Sequence, residues 1–443
     1  MEQLLHYVWK HKIFLCSKLT TTDGKTVEVL NPGLHNTNAG PDFTNAKVKI
    51  GDTVWVGNVE IHQRSSDWFR HHHDEDDAYD NIILHVAADI DQKLFYPNGQ
   101  EVPQLQIEVP EYVSGNYEEL VRSDIEPRCA DVVNTLPAIV IHNWMTSLSL
   151  ERFEYRSRQI MERRKSLDMN WEDTLFVTVA RNFGFGINGD AFEAWAQSIP
   201  MGAVAKHRDS LFQIEAIFFG QAGLLEDEKM KILKDEAFGE VEYYNKLKKE
   251  YQYLRQKFSL TPIPQKMWRF LRLRPQNFPH IRIAQLAMLY YEQRFSMSRL
   301  INATTAEDVA ELFHTQVSDY WKTHYTFHSE ASASKNKSLS KSSVNLLIIN
   351  SVAPMLFAYG KYKSDQDLCD RALSLWQDLP AENNRFIRNW AAAGVECESS
   401  ADSQALIHLT HFYCHNHDCL RCKFGYEYIK RTPSMLCEDE VKL

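Results

Sequence analysis

The sequence predicts an α/β module built on a mixed sheet, followed by a large, mainly α-helical region, and three observations support this. Up to about residue 125, short alternating or β-branched apolar runs are separated by turn signals. After Pro137 the apolar residues recur at helical spacing almost without interruption. A chain of 443 residues also exceeds one hydrophobic core, since cores stop growing near roughly 250–300 residues. We therefore expect an α/β module over residues 1–125 with a candidate metal site, and a helical domain over 126–328. An exposed flexible loop over 329–343 and a helical C-terminal part over 344–443 complete the division.

The elements follow in order. MEQLLHYVWKHKIFL interleaves apolar residues with Glu2, His6, Lys10, His11 and Lys12, an amphipathic helix and not the apolar stretch of a signal peptide. Strands are expected over Lys25–Leu30, Phe43–Ile50, Val54–His62, Asn81–Ala87 and Gln104–Val109, with a short helix over Ser66–Tyr79. Asp23-Gly24, Asn31-Pro32-Gly33, Gly51-Asp52 and Pro97-Asn98-Gly99 punctuate them. Roughly ten helices follow, with long apolar faces over Leu211–Leu225 and Ile283–Phe295. Ser329–Ser343 (SEASASKNKSLSKSS) holds few large apolar residues and reads as a flexible loop. No repeat of constant period appears, which disfavours a solenoid.

Composition narrows the function classes. The hydrophobic share of 44% and charged share of 24% are those of a globular protein. No run approaches the 18 uncharged apolar residues of a membrane span, so a cytoplasmic protein without a membrane partner is expected. Eight scattered cysteines do not make a disulfide framework. A net charge of −10 disfavours a nucleic-acid binder basic over its whole surface but leaves room for a local basic groove. The oligomeric state is not legible.

The most informative stretch is Asn38–His85. Alternation along a strand puts Glu60 and His62 on one face, and Asp42 opens the preceding strand after Gly40-Pro41. If these strands are neighbours, Asp42 and Glu60 converge as a hard-oxygen site for Mg²⁺ or Mn²⁺. The same residues also fit a turn aspartate and a solvated sheet face. A second group, His62, His71, His72, His73 and His85, offers a His-x-His pair plus strand histidines, which would suit Zn²⁺ or Fe²⁺. Against it, His71–Asp77 (HHHDEDD) is a local charge cluster, and His85 fits a core histidine.

This order of helix, strand, Pro41-Asp42, a strand ending in Glu60-Ile61-His62, helix and strand resembles the PD-(D/E)XK phosphodiesterase superfamily. The resemblance covers roughly the first 90 residues. It implies Asp42 and Glu60 as ligands of a metal that activates water for attack on a phosphodiester, with Glu2 as an accessory acid. His62 stands where that superfamily usually has lysine, in a position to polarise water, bind the metal or mark lost hydrolysis. Over its whole length the chain is similar to an uncharacterised bacterial family, the DUF2851 type, through NAGPDF, GNVEIHQRSSDW, ILHV, RLRPQNFP, FGQAGLL and CLRCKFG. That similarity implies the two-part architecture and no activity.

Two stretches of the helical region are rich in arginine, Arg152–Lys165 and Met267–Phe295. In the second, Arg269, Arg272, Arg274 and Arg282 are candidate phosphate contacts, with Trp268, Phe270 and Phe278 available to stack on bases. The alternative is that the arginine stems cover core surface and pair with acids elsewhere. Asn182–Gly186 (NFGFG) lacks the Gly-Lys-Ser/Thr ending of a phosphate loop. Near the C-terminus, Cys414, Cys419 and Cys422 have a spacing that grips one tetrahedral metal. Zinc is the expected ion and an iron–sulfur cluster the alternative. Cys397, Cys437, His408, His411, His415 and His417 are candidates for the fourth ligand, and free thiols are the plainer reading.

The leading expectation is a metal-dependent phosphodiesterase acting on nucleic acid, with Asp42, Glu60 and His62 at its centre. A non-catalytic nucleic-acid or protein-binding scaffold, and a histidine-ligated metalloenzyme acting on a small molecule, are the alternatives.

Overall fold

A computed structural model describes residues 2–15, 18–36, 38–96, 98–226, 238–327 and 329–432. Cys437, one of the fourth-ligand candidates, and Pro97 of an expected turn lie outside these residues. An N-terminal mixed sheet is followed by a mainly helical region. The chain forms two compact units. One comprises Met1–Trp144, Arg388–Val395 and Leu409–Leu443, and the other Met145–Ile387 and Glu396–His408. The division thus falls near residue 144 and not near 125, and the last stretch of chain belongs with the sheet. Helical spacing identifies a helix but not the core it joins, so sequence periodicity alone could not assign these segments.

In the first unit, helix α1 (Glu2–His11) buries Leu4, Leu5, Tyr7, Val8 and Trp9. The strands are β1 (Leu19–Thr20), β2 (Thr26–Asn31), β3 (Leu34–His35), β4 (Phe43–Ile50), β5 (Thr53–Arg64), β6 (Ile82–Asp89) and β7 (Gln104–Gln106). Their order is β1-β2-β4-β5-β6-β7, with β3 paired to β4. The pairs from β1 to β5 are antiparallel, and β5-β6 and β6-β7 are parallel. A bridge between Thr21 and Leu105 brings the first edge back to the last, so the sheet curls on itself. Every expected strand is present; β1 and β3 were too short to leave a pattern.

The expected helix over Ser66–Tyr79 is broken into α2 (Asp67–Arg70) and a 3₁₀ turn at Asp77–Tyr79. Between them His72 takes a left-handed conformation with φ 60°, which ends any regular helix. The unit continues with α3 (Glu111–Arg122) and α4 (Ala130–Val133). A final helix, Lys423–Ile429, packs near them, and the Asn116 side-chain amide donates to the carbonyls of Ile429 and Arg431.

The long helix α5 (Ala138–Ser166) contains the boundary between the units. The helical unit continues with α6 (Trp171–Phe183), α7 (Gly189–Gln197), α8 (Met201–Ala205), α9 (Leu211–Gln221), α10 (Phe238–Phe258) and α11 (Pro279–Tyr291). Its core is aromatic, with Trp195, Phe218, Phe219, Tyr244 and Trp321 all nearly inaccessible. At Gly220 any Cβ would fall within the Tyr251 ring, so glycine is required for α9 to approach α10. Gln221 and Ala222 then serve as polar anchors: Tyr251 donates to Gln221 at 2.8 Å and the Trp268 indole to the Ala222 carbonyl at 2.8 Å. FGQAGLL is therefore a packing motif. Residues 341–363 form one helix apolar enough to span a membrane by length and composition, which the sequence reading overlooked. Of its most apolar window, 72% is buried inside the protein, as in a core helix.

Candidate metal centre

The centre is built where the antiparallel half of the sheet meets the parallel half. Asp42 precedes β4 and Glu60 lies on β5, and the pairing of Phe43 with Val59 brings them side by side. The carboxylates cross-brace the two strands. The Asp42 N–H donates to Glu60 Oε2 at 3.0 Å, and the Ile61 N–H donates to Asp42 Oδ2 at 2.9 Å. The β4–β5 register shifts between Phe43 and Ala46, where Asn45 adopts φ 55°. Such bulges re-aim side chains beside functional sites.

Five histidines surround this pair. His6 Nε2, from α1, stands 3.4 Å from Asp42 Oδ2. His73 Nε2 and His62 Nε2 stand 3.2 Å and 3.6 Å from Glu60 Oε1. His71 Nδ1 is 3.3 Å from His62 Nε2, and His62 Nδ1 is 2.9 Å from His85 Nε2. Parallel pairing of β5 with β6 sets His85 opposite Glu60. The left-handed turn at His72 folds the chain back so that His73 returns over Glu60 while His72 stays exposed. Tyr79 stacks on His73 at 3.9 Å between ring centres and fixes its plane. Among the described residues, His62, His71 and His73 form the group of three whose ligand atoms lie within 4.8 Å of one another.

The electrostatics suit a cation. Burial first, and then the Glu60 carboxylate, push the Asp42 carboxyl up to about 8, against the lowering effect of the Ile61 N–H. Burial, with His85, His73, His71 and His6 around it, pushes His62 down to about 2, so its ring is neutral and keeps a lone pair. Burial pushes His85 down to about 3, and its Nδ1 has no hydrogen-bond partner. A ring whose second nitrogen is held by another side chain has the second support typical of metal-ligating histidines. His62 with His85 behind it has this arrangement.

The structure thus brings together Asp42, Glu60 and His62, and adds His71 and His73. Glu2, the expected accessory acid, lies close enough to act electrostatically on both His6 and Asp42. His6 was missed. Its only trace in the sequence was a polar residue on the buried side of α1, a weak signal until Asp42 is placed opposite it. His85 is buried as a core histidine would be, yet it contacts the cluster.

The three C-terminal cysteines lie elsewhere in the same unit, where Cys414, Cys419 and Cys422 line a cavity of about 20 Å³. Its fourth cysteine is Cys129, beside α4, and Arg128 donates to the Cys414 carbonyl at 2.7 Å. None of the candidate histidines, nor Cys397, lines the cavity. No three of these sulfurs are as close as the ligand atoms of the histidine group.

The arginine stretches divide. Arg152–Lys165 lies on α5, with Arg152 buried and Arg158 and Lys165 exposed: Arg152 Nε donates to Gln404, Arg163 pairs with Glu193, and Arg164 lies over Trp171. In the second stretch Arg269, Arg272 and Arg274 are exposed and Arg282 is buried. Trp268 is buried and hydrogen-bonded and so does not offer a stacking face, while Phe270 and Phe278 are half-buried and pack edge-on against each other. Arg272, Arg274 and Arg282 line one cleft, and Arg269 is not among its lining residues.

Fold and site define a two-unit protein with a curled mixed sheet, a histidine–carboxylate centre at its strand junction and a separate helical unit. The chain belongs to the family described as protein of unknown function (DUF2851), whose model matches residues 2–385. That match takes in the centre and most of the helical unit and ends before Cys414. No curated protein and no solved structure matches the chain.

Proposed function

We propose that the protein is a metal-dependent phosphodiester hydrolase acting on nucleic acid, with its metal held by Glu60, His62, His71 and His73 and with Asp42 beside them. The observation that carries this reading is a pair of carboxylates, the half-buried Asp42 and the buried Glu60, cross-braced within a ring of histidines. A cation relieves the repulsion between the carboxylates and uses the imidazole lone pairs. The helix–strand–strand–helix–strand order, with Asp42 and Glu60 at adjacent strands, supports phosphodiester chemistry by likeness to the PD-(D/E)XK arrangement. The mixed donor set favours Mn²⁺, Fe²⁺ or Zn²⁺ over the Mg²⁺ that two carboxylates alone would select. With both ring nitrogens engaged inside the cluster, His62 fits a ligand better than a stand-in for lysine. A bound metal would lower the pKa of its water and neutralise a phosphate oxygen. Asp42, next to His6, is the group placed to accept a proton at the solvent side.

The test is cleavage of single- and double-stranded DNA and RNA with each of Mg²⁺, Mn²⁺ and Zn²⁺, with Fe²⁺ assayed without oxygen. Hydrolysis should appear with a transition metal and vanish in Asp42→Asn and His73→Ala while circular dichroism stays native. Equal cleavage by Asp42→Asn, or none by the wild type with any of these ions, would remove the reading. A small-molecule hydrolase built on the same histidines predicts the same metal content but no cleavage of nucleic acid.

We further propose that Cys129, Cys414, Cys419 and Cys422 hold a structural metal centre, with zinc as the first candidate. A single zinc, with Zn–S near 2.3 Å, would draw the sulfurs to about 3.8 Å apart. A cluster of several irons would span a wider set of sulfurs and is the alternative. One zinc per chain, or brown protein containing iron and sulfide, lost together with thermal stability in both Cys129→Ser and Cys422→Ser, is expected. Metal-free protein of unchanged stability would show ordinary thiols.

A further inference from the structure

The helical unit contains a cleft of about 620 Å³ lined by Arg272, Arg274, Arg282, Lys335 and Lys337. Among the described residues no aspartate or glutamate lines it, although the chain carries a net charge of −10. Arg282 is 5% exposed. Its two terminal nitrogens donate to neutral amide oxygens, Gln285 Oε1 at 3.0 Å and Asn277 Oδ1 at 2.7 Å. Its Nε has no hydrogen-bond partner, and its guanidinium lies 4.5 Å from the Phe185 ring centre. Burial pushes it down to about 10 with no acid to raise it. Lys337, 6% exposed, is likewise held by neutral groups, its Nζ donating to the carbonyls of Trp321 and His324 and lying 3.7 Å from the Tyr325 ring centre. Buried charges in proteins are ordinarily paired with an opposite charge. Here two cations are buried against one cleft, and among the described residues no carboxylate lines it.

The opposite wall is the Ser/Lys-rich segment that the sequence presents as a flexible loop. It has no helix or strand over residues 330–340 and is pinned by bonds from the Lys335 N–H to the Lys322 carbonyl and from Gln285 Nε2 to the Lys337 carbonyl. Ser340, Ser342 and Ser343 line the cleft, their hydroxyls bonded to one another through Ser340. At the mouth Arg272 is held in a left-handed conformation, φ 65°. Non-glycine residues held in this region cluster at ligand-binding sites.

We propose that this cleft binds a phosphate-bearing ligand of at least nucleotide size. Guanidinium, ammonium and hydroxyl donors together match phosphate oxygens, and five cations exceed the charge of one carboxylate. The volume lies within the usual range of small-ligand sites, roughly 300–1,000 Å³, and far exceeds a single inorganic phosphate. The phosphates can come from a nucleotide or from a nucleic-acid strand. The inference goes beyond the metal-centre reading and does not depend on it.

The experiment measures fluorescence anisotropy of full-length protein with a labelled single-stranded oligonucleotide and with a labelled nucleoside triphosphate, in EDTA so that no hydrolysis intervenes. Binding of either probe is expected near physiological salt. Arg272→Gln and Arg274→Gln, both at exposed positions that should keep the fold, are each expected to weaken it several-fold. For the oligonucleotide, the salt dependence should fall by roughly 0.7 in slope for each cation removed. Tighter binding of the oligonucleotide assigns the cleft to a strand, and binding of the triphosphate alone assigns it to a nucleotide. Asp42→Asn should bind like the wild type, which separates this cleft from the metal centre. Neither probe binding, or binding unmoved by both arginine variants, overturns the proposal.

Discussion

Asp42→Asn tests the centre through stability as well as through activity. Asp42 lies half-buried against Glu60, and this environment pushes its carboxyl from 3.8 up to about 8. A carboxyl raised on folding favours the folded state while it is protonated, and that advantage is lost as pH rises through the folded value. Stability of the chelated wild type should therefore fall between about pH 4 and pH 8. At roughly 1.4 kcal/mol per tenfold, the interval from 3.8 to about 8 bounds the loss at roughly 6 kcal/mol. Because two carboxylates share the repulsion, an observed effect of a few kcal/mol is expected. Asparagine keeps the shape and still accepts the Ile61 N–H bond. The chelated variant should then be more stable than wild type at pH 8 and about equal near pH 4. Added Mn²⁺ or Zn²⁺ should reverse the ranking at pH 8, because it stabilises wild type by binding the folded state. Urea melts at the two pH values, with EDTA and with metal, provide the measurement. Parallel pH profiles for the two chelated proteins, or equal stabilisation by metal, would refute the argument.

Other expectations follow from the same structure. His71→Ala and His73→Ala should each reduce bound transition metal in elemental analysis, whereas His72→Ala, whose exposed ring points away, should not. Glu215, 2% exposed, accepts bonds from Tyr243 and Ser318 but is pushed by burial up to about 7. Its contribution to stability should be lost as pH rises from about 4.5 to about 7, so Glu215→Gln should gain at most about 3 kcal/mol over wild type at pH 8 and little at pH 4 in urea melts. Gly220→Ala forces a methyl into the Tyr251 ring and should cost 1–3 kcal/mol or more, seen as a lowered melting temperature without loss of metal binding.

The sequence by itself determined the elements whose pattern is local. Alternation over Phe43–Ile50 located β4 to the residue, because a half-buried strand needs one apolar face. The same period put Glu60 and His62 on one side of β5, and Asp42 beside them once the two strands were taken as neighbours. Tertiary structure decided everything that depends on elements distant in the chain. His6 matters only because α1 lies near Asp42, and His73 only because the backbone reverses at His72 instead of continuing as a helix. Cys129 carries no motif of its own and becomes a neighbour of Cys422 only when α4 and the last helix pack in one unit. The Ser/Lys-rich segment lacks the apolar residues that signal structure in a sequence. It is fixed instead by buried Lys337 and by backbone hydrogen bonds, which depend on carbonyl positions that no composition encodes. Apolar periodicity reports one element's burial against water, while a site is a coincidence in space of polar groups from several elements.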